Sequence, residues 1–292
     1  MTVLSAPMRC SARSEELDEP MIGSVDQRVR WLLIEDRSAW GEKAVRDVLG
    51  AELEAAAKER GMRLLLIRRR EGDPAADAVR RAILVDTETR EMAVRAVSSL
   101  EDLPALLDQR VPDFGSPLSD PILLVCTNGK RDACCALRGR ALMAALAADH
   151  AERTWECTHL GGHRFAGNLV CLPDGIVYGR VTPTDGPRLA DAYLAGRLDP
   201  APMRGRSPWP PPAQVAEHAL RQATGVAGVA DVTLVTADVD GDVARVTLRV
   251  GNVTHRYDLR AEAGEPRMIS CRGEEPEQPI HWRVVSPAQS PG

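Results

Sequence analysis

One strand–loop–helix unit in the middle of the chain limits the possible folds most strongly. Residues 121–126 (PILLVC) form a short apolar run that predicts a buried strand, the turn TNGKRD follows it, and residues 133–150 predict a helix. Similar elements precede it: strands are predicted at 28–35, 62–67, 81–85 and 91–97, and helices at 40–60 and 100–107. This alternation of strands and helices favours an α/β fold.

Shifts in composition along the chain predict the domain organisation. No internal repeat is visible in the sequence. We expect a flexible polar lead at 1–27, an N-terminal α/β part at 28–115, a central domain at 116–199, an extended Pro-rich linker at 200–212 (PAPMRGRSPWPPP) and a small α+β C-terminal domain at 213–292.

Composition excludes several classes of function. Apolar residues make up 44% of the 292 residues, so a core can form, but aromatic residues at 3% argue against a stacking surface for single-stranded nucleic acid. The net charge of −5, with both signs interspersed, gives no footprint for DNA or an acidic membrane. Because no apolar run approaches the roughly 20 residues of a membrane helix and the N-terminus lacks a signal-peptide core, we expect a cytoplasmic protein. In such a reducing compartment, the seven cysteines are expected to be ligands, redox groups or core residues.

Two close pairs of metal-binding residue types lie in the central domain. Cys126 and Cys135 flank the segment TNGKRDAC, and His159 and His163 flank LGG. A thiolate at a strand end or in the first turn of a helix faces free N–H groups and the positive end of the helix dipole. The histidine spacing places two imidazoles about one helical turn apart. Both imidazoles can therefore reach one metal, provided that Gly161 and Gly162 let the backbone approach it closely.

The loop between the cysteines adds positive charge. Gly129 lets backbone N–H groups curl around an anion, and Lys130 and Arg131 offset its charge, although a solvated turn is an equal alternative for both cations. Two thiolates and two imidazoles suit either zinc or a 2Fe–2S cluster. Histidine ligation moves a cluster's potential to about −150 to +300 mV, against about −400 mV with four cysteines. It also couples reduction to proton uptake by an outer imidazole nitrogen.

Two segments identify a family resemblance. CTNGKRDACC (126–135) and THLGGHRFAGN (158–168) resemble the sucrase/ferredoxin-like family, closely over about 120–200 and loosely at 28–41 and 268–284. The resemblance implies a thioredoxin-like ferredoxin core at 116–199 and a 2Fe–2S cluster. It implies Cys126 and Cys135 as cysteine ligands and His159 and His163 as histidine ligands. We find no carboxylate pair that would support glycoside hydrolysis.

The other cysteines and histidines receive less specific interpretations. Cys134 adjoins Cys135 and could replace it, although the family spacing favours Cys135. Cys271 is interpreted mainly as a structural thiol. The remaining candidates are expected to be core, solvated or outside the site: Cys10, Cys157, Cys171, His150, His218, His255 and His281.

Three functions compete. We expect an electron carrier that exchanges single electrons with a redox partner protein, rather than an enzyme. A structural zinc domain that holds its metal in a closed tetrahedron is the first alternative. A thiol-dependent thioredoxin-like redox enzyme is the second, and the missing Cys-x-x-Cys motif counts against it.

Overall fold

A computed structural model of the chain describes residues 9–69 and 79–288. These residues form a ten-stranded mixed sheet and a four-stranded antiparallel sheet, so the expected α/β class is confirmed. The strands are β1 (Arg30–Glu35), β2 (Arg63–Arg68), β3 (Arg80–Asp86), β4 (Glu91–Val97), β5 (Ser116–Pro117), β6 (Ile122–Cys126), β7 (Thr154–Cys157), β8 (Leu169–Leu172), β9 (Ile176–Tyr178), β10 (Met203–Arg206), β11 (Val232–Asp240), β12 (Val243–Val250), β13 (Val253–Ala263) and β14 (Ile280–Ala288). The helices are α1 (Cys10–Glu16), α2 (Ala44–Leu49), α3 (Ala51–Glu59), α4 (Val111–Phe114), α5 (Ala133–His150), α6 (Asp185–Leu194) and α7 (Pro211–Thr224), with 3₁₀ helices at Leu100–Leu106 and His163–Phe165.

The large sheet is built from two halves with the same topology. Its strand order is β10-β9-β8-β6-β7-β2-β1-β3-β4-β5. In each half, two parallel strands (β1 with β2, β6 with β7) are joined by helix, and three antiparallel strands follow outward. The halves meet where Ile67 of β2 pairs with Cys157 of β7. The repeat that the sequence does not show is therefore present in the topology.

The large sheet has a hydrophobic cluster for each half and a third one that both halves share. Alternate residues of each strand point to opposite faces of the sheet. On one face, Leu32 and Ile34 of the first half pack with α2 and α3, whereas Leu123 and Val125 of the second half pack with α5 and α6. A third cluster spans both halves. It includes Trp31, Leu33, Leu65, Ile67, Leu124, Cys126, Cys135 and Trp155. Both candidate cysteines thus belong to the core that joins the halves.

The C-terminal sheet is attached to the large one through α7. This helix packs its apolar face on β11 to β14, and its side chains Glu217 and Arg221 are fully buried. Arg206 of β10 donates to Glu217 Oε1 at 2.8 Å, and Arg221 donates to the same oxygen at 2.9 Å. A buried carboxylate shared by two arginines therefore connects an edge of the large sheet to the second one.

The expectation of a flexible lead is wrong for the described part of it. Residues 1–8 lie outside the described residues, but α1 begins at Cys10, which is buried. Glu19, also buried, accepts from Arg164 Nε at 2.8 Å and forms an ion pair with Arg267 Nη2 at 2.7 Å. The polar composition suggested solvation, but these polar groups have partners in distant segments.

The expectation of a Pro-rich linker is also wrong. Residues 203–206 form β10, which is buried and pairs with β9, and α7 begins at Pro211. Pro is tolerated in the first turn of a helix because the N–H that it lacks has no partner there. The segment is extended, as expected, but it belongs to the sheet.

Further elements differ from the prediction, and α4 and the two-residue strand β5 lie where no element was expected. The expected single helix over 40–60 is two helices, α2 and α3, separated at Gly50, which has φ 90° and ψ 150°. The strand β14 was not expected, because it pairs with β13 only after a loop of 16 residues, from 264 to 279. The other predicted strands and helices agree with the structure to within a few residues at each end.

Candidate metal centre

The cysteine pair lies where β6 ends and α5 begins. Cys126 is the last residue of β6, and Cys135 is in the first turn of α5, which Asp132 caps by accepting from the Cys134 N–H at 2.9 Å. Both cysteines are at most 2% exposed. The close approach of α5 to the strand end requires Gly139, because a Cβ there would collide with the carbonyl oxygen of Cys126. The local fold therefore brings the two thiols together.

The histidine pair follows β7, which lies beside β6 and parallel to it. The carboxyl ends of parallel strands meet at one edge of a sheet, so the residues after β7 come next to Cys126. Gly161 and Gly162 have positive φ, 84° and 65°, and turn the chain so that the His159 and His163 rings stack. Their centroids are 5.0 Å apart.

Three of the four predicted ligands converge. One ligand atom from each of Cys126, Cys135 and His159 lies within 4.8 Å of the other two. His163 is not in this group but lies beside it, with its Nε2 3.9 Å from Asp132 Oδ2. The structure therefore brings the two pairs to one place.

Unpartnered ring nitrogens mark the site. The Nδ1 atoms of His159 and His163 are both buried, and neither has a hydrogen-bond partner among the residues that the structure describes. A buried nitrogen without a partner is costly unless something else satisfies it. Two such nitrogens next to two thiols fit a metal centre with sulfur and imidazole ligands.

Hydrogen bonding and burial shift the pKa values of Cys126, Cys135 and His163. The hydrogen bond from the Cys135 thiol, followed by that from the His159 ring, holds the pKa of Cys126 well below its ordinary value. The same bond and burial raise the pKa of Cys135. Burial, with the neighbouring His159, lowers the pKa of His163 to about 4. The lowered pKa values favour a thiolate at Cys126 and a neutral imidazole at His163, the forms that bind metals.

Two arginines hold the histidine loop: Arg204 is buried and Arg63 is half-buried. Arg204 Nη1 donates to Gly161 O at 3.1 Å and to Asn168 Oδ1 at 2.8 Å, and Arg63 Nη2 donates to His159 O at 2.8 Å. Burial lowers the pKa of Arg204 to about 9. Both cations lie beside a site of anionic ligands, so they position the loop and offset negative charge.

The expected loop cations lie further out. Lys130 is exposed, and Arg131 is half-buried with its guanidinium 3.4 Å from Glu42 Oε1. The backbone N–H of Arg131 donates to Asn128 Oδ1 at 3.2 Å, which shapes the loop. The positive charges that touch the ligand loop directly are instead those of Arg63 and Arg204.

Sequence reasoning missed several residues of the site. Arg204 lies in the supposed linker, and Arg63 begins a strand, so neither carries a motif. Asp132 has a recognisable signal, since an aspartate directly before a helix is a typical N-cap. Cys134 points away from the Cys126 group and contacts Cys10, with 3.6 Å between the sulfur atoms. Cys157 and Cys171 lie in buried strands, as expected.

Among the residues that the structure describes, no helix has the length and apolar character needed to cross a membrane.

Comparison with known proteins gives distant relatives and one family. A stretch of 87 residues is 33% identical to "Altered inheritance of mitochondria protein 32" of Meyerozyma guilliermondii, covering 26% of this chain and 31% of that protein. A stretch of 106 residues is 33% identical to the protein of the same name from Eremothecium gossypii, covering 31% and 34%. The matched part thus spans about a third of these relatives. No solved structure matches. The profile of the sucrase/ferredoxin-like family matches residues 21–205, and the chain belongs to this family.

Proposed function

We propose that the chain is an electron-transfer protein that binds one 2Fe–2S cluster through Cys126, Cys135, His159 and His163. The strand order β7-β6-β8-β9, with a helix between the two parallel strands and another after β9, supports a thioredoxin-like ferredoxin core around this site. When bound, such a cluster supplies one-electron chemistry.

The main support for the proposal is that the cysteine pair and the histidine pair lie close together. Cys126, Cys135 and His159 offer ligand atoms within 4.8 Å of one another, and both histidines keep a buried Nδ1 without a partner in the described structure. A single tetrahedral metal needs all four ligand atoms close together, whereas a cluster with two irons places the histidine ligands further from the cysteines. The position of His163 beside the group, rather than in it, favours the two-iron centre.

The histidines give the site its proton chemistry. With the unpartnered Nδ1 of His163 as its ligand atom, that ring would keep its proton at Nε2. The Nε2 of His163 faces Asp132 Oδ2 at 3.9 Å, and this carboxylate is completely buried. A buried carboxylate stabilises a proton on the neighbouring ring. We therefore expect proton binding at His163 Nε2 to be linked to the electron count of the site.

A basic groove offers a place for the redox partner. The groove, of about 490 Å³, reaches His159 and is lined by six cationic and two acidic side chains. The cationic residues are Arg28, Lys43, Arg46, Lys58, Arg63 and Arg131, and the acidic ones are Glu42 and Glu54. We propose that an acidic surface of a partner protein docks here, because complementary charge speeds protein encounter. The cytoplasmic location of this exchange remains a prediction.

The proposal is tested by metal and sulfide analysis of anaerobically purified chain. We expect two irons and two acid-labile sulfides per chain, and visible absorption that dithionite bleaches. Iron-free protein with zinc bound by two sulfurs and two nitrogens would instead support the structural zinc domain. Metal-free protein with a reactive thiol of low pKa at Cys134 or Cys135 would support the thiol-dependent enzyme.

A further inference from the structure

A second group of thiols lies on the other side of α5's first turn. Cys10 of α1, Cys134 of α5 and Cys271 of the loop between β13 and β14 are brought together from three distant parts of the chain. Their sulfur atoms form a nearly equilateral triangle with sides of 3.6, 3.4 and 3.5 Å. The carboxylate of Asp132 completes the group, and all four ligand atoms lie within 4.8 Å of one another.

The sides of this triangle suit a shared metal better than a disulfide. A disulfide needs about 2.0 Å between sulfur atoms and uses two thiols, which would leave the third unpaired. Zinc binds thiolates at about 2.3 Å, and a regular tetrahedron of that radius has edges of about 3.8 Å. The observed sides, 3.4–3.6 Å, are close to one face of such a tetrahedron.

Asp132 occupies the fourth corner. It is completely buried, and its oxygens lie 3.9 and 3.8 Å from Cys10 Sγ. Oδ1 accepts the Cys134 N–H at 2.9 Å, and Oδ2 accepts the Cys271 N–H at 3.0 Å. These bonds fix the carboxylate toward the thiols, as the outer partners of metal-binding carboxylates do. The Cys10 N–H also points to Cys271 Sγ, 3.4 Å away.

We propose that Cys10, Cys134, Cys271 and Asp132 bind one zinc ion, separately from the four residues of the proposed cluster. Thiolate-rich tetrahedral sites select zinc among the common divalent metals, and four protein ligands make a closed, structural site. The ion would fasten α1 and the loop before β14 onto the start of α5. The two segments have little regular structure of their own, because α1 has seven residues and the loop has few hydrogen-bonded elements.

The site would also support the histidine pair. Asp132 faces the thiol group on one side and His163 Nε2, at 3.9 Å, on the other. A metal that fixes Asp132 therefore fixes the carboxylate next to His163. The inference does not depend on the cluster, because the zinc ligands and the proposed cluster ligands are different residues.

Zinc and iron counts on the full chain test the inference. We expect about one zinc per chain in the purified protein, at least a tenfold loss of zinc in Cys271→Ser and Cys134→Ser, and unchanged iron in both. Cys171→Ala, which removes another buried thiol, is the matched control and should keep its zinc. Zinc-free wild-type protein, or variants that keep zinc at the wild-type level, would overturn the inference.

Zinc X-ray absorption on the wild-type protein tests the proposed zinc site without relying on the folding of any variant. On the wild-type protein we expect three sulfur neighbours at about 2.3 Å and one oxygen at about 2.0 Å. An environment of two sulfurs and two nitrogens would place the zinc at the Cys126 site. It would refute the proposed zinc site at Cys10, Cys134, Cys271 and Asp132. A disulfide among the three thiols, seen by intact mass under non-reducing conditions, would refute it as well. Iron and sulfide counts report on the cluster separately.

Discussion

Alanine at Gly162 should damage the candidate metal centre far more than alanine at its neighbour Gly161. Both glycines have positive φ, which costs a residue with a side chain about 1–2 kcal/mol. At Gly161 a Cβ meets nothing within 4 Å, so the backbone cost is the whole expected effect. At Gly162 a Cβ would collide with the guanidinium of Arg204, which is 3% exposed and has little room to move.

The added cost at Gly162 follows from the hydrogen bonds of Arg204. Its guanidinium donates to Ser24 Oγ and Ser24 O, to Gly161 O and to Asn168 Oδ1, at 2.8–3.1 Å. A hydrogen bond from a charged group contributes about 1.5–3 kcal/mol, so losing one brings the total for Gly162→Ala to about 2.5–5 kcal/mol. Gly161→Ala should cost about 1–2 kcal/mol.

Urea denaturation followed by circular dichroism measures the free energy of unfolding of each variant. Iron analysis reports whether the histidine loop still supports the metal centre. We expect Gly162→Ala to lose stability and most of its iron, and Gly161→Ala to keep its iron. Equal free energies for the two variants, or full iron in Gly162→Ala, would show that Arg204 does not position the histidines.

Four other perturbations test separate parts of the account. Cys135→Ser should abolish iron binding while Cys134→Ser retains it, by iron analysis; the opposite pattern would exchange their assignments. His163→Cys should keep a cluster but lower its potential by about 125–350 mV, half of the difference between histidine-ligated and all-cysteine clusters, and flatten its pH dependence; an unchanged pH slope would count against His163 as a ligand. In metal-free protein, the folded pKa of His163, about 4, lies below its unfolded value of about 6.5, so the unfolded state binds more protons in between. The contribution of neutral His163 to the free energy of unfolding should therefore be fully present above pH 6.5 and fall by about 3 kcal/mol as the pH drops to 4. His163→Gln should remove this part of the pH dependence from denaturation curves. Identical pH dependence in the two proteins would refute the assignment. Glu217→Ala should cost about 3–5 kcal/mol, because it leaves its two buried arginine partners unpaired; a loss below about 1 kcal/mol would contradict this ion-pair argument.

Local patterns predicted the elements around the site well. The apolar run that ends at Cys126, the turn after it and the helix from Ala133 to His150 are encoded by neighbouring residues, and the structure has all three. The placement of the histidine pair next to the cysteine pair also follows from sequence, because two parallel strands joined by a helix end at the same edge.

Long-range packing explains what sequence reasoning missed. Arg204 looked like part of a linker because nothing near it in sequence reveals that β10 pairs with β9. Cys10 and Cys271 lie 261 residues apart, so no spacing rule connects either of them to Cys134. The sequence did not predict the topological repeat, because the two halves of the large sheet share strand order and direction but not their residues.

A redox titration of the full chain across pH tests the central claim most directly. The account predicts a single one-electron transition, with a midpoint potential well above about −400 mV that falls as the pH rises, because a ligand histidine releases its proton. A chain without any iron-based transition, or with a potential that does not change with pH, would contradict it.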